Sequence, residues 1–220
     1  IFILSRIIII SFYYIKNMGS DYSLYEKRLN KPVFPIIFID KRFLFTETKI
    51  FHLQEGDCCD DPEIRDNSGI SNFKIEKIVI SSRKIIYDTD NKPLFNIDKE
   101  LFSFSYMLKN GDSDQIIAKV GKGGFFADSK FNCTFRNMFT GQNDYIEIKS
   151  ANYQKFFGVY QGEEEKGAPL ICKIYKDENS GFCSPPNFII EIAPNIDASL
   201  MLGLGLIFSD YSISVNSSSD

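Results

Sequence analysis

The chain has 220 residues, of which 44% are hydrophobic and 25% are charged, and its formal net charge is −4. This composition is that of an ordinary soluble globular protein. Its acidic balance argues against a general nucleic-acid-binding protein, which normally carries a basic excess. The 21 Phe and 11 Tyr, with no Trp, favour β-strands, because aromatic side chains suit a half-buried pleated surface.

The chain opens with an apolar segment, residues 1–17, that contains two basic residues. A transmembrane helix needs about 20 mostly apolar residues, so this segment is too short to span a bilayer, whereas a truncated signal peptide would fit its length. We favour a third interpretation, in which Met18 is the natural start. From there MGSDYS matches the N-myristoylation pattern, with Gly19 as acceptor and Ser23 as the matching hydroxyl; a leader without an acyl chain is the alternative.

Strand-like runs fill the chain from about Val33 to about Ile192. Apolar residues alternate with charged ones in NFKIEKIVISS, residues 72–82, as expected of a half-buried strand. The clearest hairpin joins the runs 85–87 and 94–97 across DTDNKP, because Asp, Asn and Pro favour turns. A second hairpin is predicted at Asn110–Gly111, since both residue types accept positive φ. Short strands at this spacing indicate a β-sandwich or barrel.

The segment from Ala198 to Phe208 is apolar and contains two glycines. It is too short to span a bilayer, which takes about 20 residues. Its leucines recur with a period of two, as in a strand, although glycine weakens strand interiors. Pro194 would end the preceding strand, and Asp197 would cap a helix by accepting a backbone N–H. These residues favour a buried helix and leave a strand as the alternative.

Two stretches of the chain resemble LURP-one-related proteins, which share the Tubby C-terminal-like fold with phospholipid scramblases. Residues 188–210, FIIEIAPNIDASLMLGLGLIFSD, resemble the family's C-terminal motif of a strand, a proline, an Asp and a hydrophobic helix. The hairpin YDTDNKPLFNI, residues 87–97, resembles the family's Asp-containing turn, although Asn91 stands where such turns often carry Gly. The resemblance covers about residues 34–215.

The resemblance implies a mainly β fold, a closed antiparallel barrel of about twelve strands around a central hydrophobic C-terminal helix. It therefore strengthens the helix interpretation, because a barrel can bury a helix that is apolar on every side. We expect a disordered or non-native leader over 1–30, a barrel domain over 31–215 and a disordered tail over 216–220. The core residues expected in the central helix are Leu200, Leu202, Gly203, Leu204, Gly205 and Leu206.

Few residues suggest catalysis. His52 is the chain's one histidine, so a Ser-His-Asp or Cys-His site would have to use it, and its place in the strand-like KIFHLQ favours a structural role. The five cysteines match no zinc-binding spacing and are expected to be free thiols in a reducing compartment. KVGKGGFF and DTDNKP lack residues that complete a phosphate loop and an EF-hand. We expect no enzyme activity, no metal site and no cofactor; a hydrolase that uses His52 is the weaker alternative.

A basic cluster surrounds Phe125 and Phe126. The resemblance to Tubby-like proteins implies that basic residues on the barrel bind phosphoinositide headgroups, with the phenylalanines facing the acyl boundary. A solvated surface without a ligand is the alternative. The candidate lipid-binding residues are Lys119, Lys122, Lys130 and Arg136.

The sequence and the resemblance together predict a cytoplasmic, monomeric binding or scaffold module that is peripheral to a membrane. Its expected partners are anionic phospholipid headgroups, and no nucleic acid is expected. A scramblase-like membrane protein is the second interpretation, and it would require a membrane segment or a lipid anchor.

Overall fold

The computed structural model describes residues 24–56, 60–100, 104–123, 130–151, 154–177 and 186–217. They form a twelve-stranded antiparallel sheet and a C-terminal helix, α1 (Ala198–Ser217), with 3₁₀ helices at Lys41–Phe43 and Glu164–Lys166. The strands are β1 (Lys49–Gln54), β2 (Glu63–Asp66), β3 (Lys74–Ile78), β4 (Arg83–Tyr87), β5 (Pro93–Lys99), β6 (Ser105–Asn110), β7 (Ile116–Lys122), β8 (Lys130–Arg136), β9 (Asn143–Ala151), β10 (Phe156–Tyr160), β11 (Leu170–Lys176) and β12 (Asn187–Ile192).

The sheet curls into a barrel that is nearly closed. Sequential strands from β3 to β12 pair with one another, β12 pairs with β1, and β1 pairs with β2, which leaves β2 and β3 as the two edges. These edges share no ladder within the described residues, and a cleft of about 460 Å³ lies between them. A hydrogen bond from Lys77 N to Asp61 Oδ1 (2.7 Å) links the two sides. The predicted antiparallel barrel is confirmed, but its closure is incomplete at this seam.

The C-terminal segment is a helix, so the helix prediction is confirmed and the strand alternative is wrong. It runs beyond the predicted end at Phe208 to Ser217. By length and composition α1 could cross a membrane, which the apolar segment alone was judged too short to do, but 72% of its most hydropathic window is buried inside the structure. The leucines at 200, 202, 204 and 206 are fully buried. Burial on every side explains why residues 198–208 of the helix present no polar face.

Strands from opposite sides of the barrel contact α1. The Phe208 ring lies 5.2 Å from the Phe131 ring of β8 and 4.6 Å from the Phe157 ring of β10. The two helix glycines meet other strands: a Cβ at Gly203 would lie 3.1 Å from the Phe95 ring of β5, and a Cβ at Gly205 would overlap the Ile190 side chain of β12. Glycine at these two positions therefore lets β5 and β12 pack closely against the helix.

Asp197 ties the start of α1 to the segment that precedes β1. Its Oδ2 accepts backbone N–H bonds from Phe38 (2.9 Å), Ile39 (2.8 Å) and Asp40 (3.2 Å), and its Oδ1 accepts from Ser199 N and Oγ. Burial raises the pKa of Asp197, against the lowering effect of these hydrogen bonds. The predicted N-cap thus also holds a distant segment in place.

The predicted hairpins exist, but one of them turns for a different reason. In the β4–β5 turn Asn91 has φ +58°, the left-handed conformation that Asn tolerates. In the β6–β7 turn neither Asn110 nor Gly111 has positive φ. Gly111 is instead required because a Cβ there would lie 2.6 Å from the carbonyl carbon of Pro93. Ile80, expected to continue the alternation of β3, lies fully exposed in the β3–β4 turn.

Residues 24–35 lie along the outside of β10 and β11. The Tyr25 ring contacts the rings of Phe156 (4.8 Å) and Tyr175 (5.4 Å), and Asn30 N donates to Leu170 O (2.8 Å). β10 is buried on both faces as a result. The leader predicted over 1–30 overlaps this covering segment from residue 24 onward. Gly19 and Ser23, with the predicted start at Met18, lie outside the described residues.

Candidate functional site on the outer face of the barrel

Two of the predicted lipid-binding residues lie close together on the outer face of β7 and β8. Lys119 of β7 pairs with Thr134 of β8, and Arg136 follows two residues later on the same face. Both side chains are exposed, whereas Val120 and Phe135 beside them face the core. Neither cation has an ion pair among the described residues. Lys119 and Arg136 can therefore both reach a ligand on this face.

The other two predicted residues lie elsewhere. Lys130 begins β8, about 20 Å from Arg136 along the strand at 3.3 Å per residue, and its Nζ lies 2.6 Å from Oε2 of the buried Glu147. The hydrogen bond to Glu147 raises the pKa of Lys130. Lys122 pairs with the inward-facing Phe131 and lies at the exposed end of β7. Phe125 and Phe126 lie outside the described residues. The predicted cluster is therefore not one surface.

The structure adds two basic residues that the sequence analysis missed, Arg83 of β4 and Lys109 of β6. Both contact Asp98 of β5: Arg83 Nε lies 2.6 Å from Oδ1, and Lys109 Nζ lies 2.8 Å from Oδ2. Burial acts to raise the pKa of Asp98, but hydrogen bonds from the two cations outweigh it and hold that pKa below its usual value.

We call the outer surface of β4–β8 the basic face. Its charged residues come one from each of five consecutive strands, and the register of those strands brings them onto one face. It carries four cations and one carboxylate, which only Arg83 and Lys109 contact, so the face is positive on an acidic protein. The residues of the basic face are Arg83, Asp98, Lys109, Lys119 and Arg136.

The β8–β9 turn, residues 137–142, presents two large apolar side chains next to the basic face. Met138 is 61% exposed and Phe139 is 55% exposed, and they follow directly after Arg136. The sequence analysis did not select them. The available signal was the pair of bulky apolar residues within the turn sequence NMFTGQ, where polar residues are the rule.

The candidate catalytic side chains, His52 and the cysteines, are not arranged for nucleophilic catalysis within the described residues. His52 lies on the exposed side of β1, and its Nε2 lies 2.9 Å from Asn67 Oδ1. Cys133 and Cys172 are free and buried, and burial raises the pKa of Cys133 to about 12. Such thiols do not form the thiolate that nucleophilic chemistry needs. Cys58, Cys59 and Cys183 lie outside the described residues.

A buried ionic cluster closes the end of the barrel where α1 leaves it. Lys84 Nζ lies 2.8 Å from Asp210 Oδ1 and 3.6 Å from Glu55 Oε1, and Ser209 Oγ donates to Glu55. Burial raises the pKa of Glu55, partly offset by Lys84. The cluster joins α1, through Ser209 and Asp210, to Lys84 of β4 and to Glu55, so we assign it to the docking of α1 in the barrel.

Comparison with known proteins identifies a family. The model of the LURP-one-related family matches residues 42–210. A solved structure of a protein from Arabidopsis thaliana superposes with a TM-score of 0.57 at 14% sequence identity, covering 80% of this chain and 98% of the other. At this identity the likeness concerns the fold alone. Comparison with curated proteins found no match.

Proposed function

Because the chain belongs to the LURP-one-related family, we propose that its Tubby-like barrel is a non-enzymatic binding or scaffold module that associates with membrane surfaces. In this proposal the basic face binds anionic phospholipid headgroups, phosphoinositides among them. The module works at the cytoplasmic side of a membrane as a monomer. A fold does not fix a function, so the proposal rests on the site.

The observation that carries the proposal is the exposed pair Lys119 and Arg136. Some cations on the barrel, such as Lys130, contact a carboxylate. Lys119 and Arg136 have no ion pair within the described residues, and they lie together on one face beside the exposed Met138 and Phe139. A phosphate group that meets them gains charge-assisted hydrogen bonds without breaking internal ones. Each basic residue near an anionic membrane contributes about 1 kcal/mol of attraction.

The alternative, a scramblase-like membrane protein, would need a segment in the bilayer. The helix long enough for that role, α1, is largely buried by the barrel, so insertion would require the barrel to open. The hydrolase alternative is weaker still, because within the part of the chain that the structure describes His52 contacts Asn67 and not a hydroxyl or a thiol. No observation on the described residues favours either alternative over lipid binding at the basic face.

Co-sedimentation with vesicles tests the proposal. Phosphatidylcholine vesicles that contain phosphatidylinositol bisphosphate should pellet the wild-type protein, and pure phosphatidylcholine vesicles should not. The double variant Lys119→Ala/Arg136→Ala should lose most of the binding, because about 1 kcal/mol per charge corresponds to roughly thirtyfold for two charges. Raised salt should weaken binding by the wild type for the same reason.

The matched control is Arg28→Ala/Lys31→Ala, which removes the same two charges from exposed residues outside the basic face. It should bind like the wild type. Equal losses in both double variants would show that only net charge matters, and unchanged pelleting of the Lys119→Ala/Arg136→Ala protein would remove the basic face as the lipid site.

A further inference from the structure

The β8–β9 turn keeps two apolar side chains in water although the core is well packed. Met138 and Phe139 are both more than half exposed, and residues 137–142, NMFTGQ, carry no charge. Single exposed apolar residues are common and need no explanation, whereas adjacent ones at the tip of a turn indicate an interaction surface.

The turn is held rigid by Asn137, whose side chain is fully buried. Its Oδ1 accepts from Ile37 N (3.1 Å) and Phe139 N (2.9 Å), and its Nδ2 donates to Pro35 O (2.9 Å) and Asp144 Oδ2 (2.7 Å). Every hydrogen-bonding position of the amide is thus engaged on or beside the turn. The tip residues are therefore presented in a fixed geometry, and binding through them would lose little conformational entropy.

Further backbone bonds fix the same turn. Met138 N donates to Ile37 O (2.8 Å), and Gly141 N donates to Asn137 O (2.8 Å) with Gly141 at φ +72°. The turn therefore forms an apolar rim, Met138 and Phe139, at the end of the barrel where β8 ends.

Charge complementarity indicates what this rim contacts. Arg136 ends β8 immediately before the turn, and Lys119 lies on the adjacent strand. Apolar side chains flanked by unpaired cations match the boundary between acyl chains and anionic headgroups. The β3–β4 turn at the other end of the barrel also exposes two adjacent apolar residues, Val79 and Ile80, but its neighbouring cation, Arg83, is paired with Asp98 through two hydrogen bonds.

We propose that the β8–β9 turn inserts Met138 and Phe139 into the interfacial region of an anionic bilayer, while Arg136 and Lys119 contact the headgroups above. This inference rests on the proposed function and adds an orientation to it. The barrel stands on the membrane with the β8–β9 end down, and α1 remains inside the barrel.

Tryptophan fluorescence tests the insertion, because the natural chain contains no Trp and a single introduced Trp has no background. The variant Phe139→Trp should shift its emission to shorter wavelength on phosphatidylcholine vesicles that contain phosphatidylserine and phosphatidylinositol bisphosphate. Brominated phosphatidylcholine in the same vesicles should quench it. The control Ile80→Trp, at the opposite end of the barrel, should show neither change.

A second variant separates insertion from headgroup binding. Met138→Ser/Phe139→Ser should lose about tenfold in vesicle affinity, because two partly inserted apolar side chains no longer leave water. Its affinity for soluble inositol trisphosphate, measured by calorimetry, should equal that of the wild type. Both substituted side chains are exposed, so urea unfolding should be unchanged.

The outcomes are distinguishable. Vesicle binding that is intact in the Met138→Ser/Phe139→Ser protein, without a shift in Phe139→Trp emission, would overturn insertion and leave headgroup binding standing. A shift in Ile80→Trp emission instead would reverse the orientation and overturn the inference. Absence of vesicle binding by the wild-type protein would overturn both proposals together.

Discussion

The barrel has two outer surfaces that differ in what their basic side chains contact. On the basic face, β4–β8, Lys119 and Arg136 are exposed and have no ion pair among the described residues. On the surface of β9–β11, which we call the covered face, Lys149 lies 3.0 Å from Glu164 and Lys173 lies 3.3 Å from Glu191. The cations on the covered face are thus engaged in internal ion pairs, whereas Lys119 and Arg136 can reach a ligand.

The covered face is built around a buried carboxylate. Glu147 of β9 is fully buried and accepts a backbone hydrogen bond from Glu164 N (3.1 Å), which holds the β10–β11 loop over the strand. Residues 24–35 complete the cover, with Lys27 Nζ 3.0 Å from Glu164. The difference teaches that a lysine becomes available to a ligand when no loop folds back over its strand. The number of lysines in a segment does not determine this.

The largest expected effect tests whether the core is packed equally tightly beneath the basic face and on the side of the covered face. Gly205→Leu should destabilise the protein near the upper end of about 1–3 kcal/mol by overpacking, because even a Cβ there would overlap Ile190 of β12, which pairs with the last strand of the covered face. Gly203→Leu should cost less, since a Cβ there would lie 3.1 Å from Phe95 beneath the basic face. Urea unfolding measures both.

If either variant has the same urea midpoint as the wild-type protein, the core is not tightly packed around both glycines. A Gly205→Leu variant as stable as the wild type would mean that the core beside β12 can accommodate a larger side chain. A Gly203→Leu variant as stable as the wild type would mean the same for the core beneath the basic face.

The next effect concerns the carboxylate of the covered face. Glu147→Gln removes the charge that Lys130 contacts at 2.6 Å while keeping the side-chain shape. We expect a loss of about 2 kcal/mol in unfolding free energy, as for hydrogen bonds to charged groups. The neighbouring Glu165→Gln, whose side chain is 71% exposed, should change stability by less than about 0.5 kcal/mol. Equal unfolding free energies for the two variants would mean that the buried carboxylate of the covered face does not stabilise the fold more than an exposed one.

The sequence predicted the elements better than the roles of their charges. The DTDNKP turn and the helix that begins after Asp197 depend on local chemistry, which the sequence displays directly. Whether Lys119 or Lys130 is available to a ligand depends on Glu147 of another strand and on the β10–β11 loop, so it follows from register and tertiary packing. The same holds for Tyr25, which contacts Phe156 far along the chain although its segment resembles a leader.

A smaller effect should appear in acid. Burial acts to raise the pKa of Glu164. Hydrogen bonds from Lys27, Lys149 and Tyr160 outweigh burial and lower that pKa to about 2. An acid with a lowered folded-state pKa stabilises the fold above its unfolded pKa, 4.5, and this contribution is lost as the pH falls toward 2.

Unfolding free energy measured between pH 5 and about pH 2 checks this linkage. Glu164→Gln should be less stable than the wild type near neutral pH and should lose less stability on acidification. Glu165→Gln should follow the wild-type curve. Parallel curves for the wild type and Glu164→Gln would show that the covered face is not held by this carboxylate.

The smallest effect on stability gives the sharpest contrast in binding. Asp98→Asn removes the single acidic residue of the basic face, and it should cost at most about 1 kcal/mol, as for a partly exposed ion pair. It frees Arg83 and Lys109 and adds one net positive charge to the face. Affinity for anionic vesicles should therefore rise roughly fivefold, since one charge near such a membrane is worth about 1 kcal/mol.

Glu147→Gln makes the same change in net charge on the covered face and should leave vesicle affinity unchanged, because Lys130 and Lys149 stay beneath the β10–β11 loop. Tighter binding by both variants would mean that vesicles sense the charge of the whole protein, and the distinction between the two faces would then hold for stability alone.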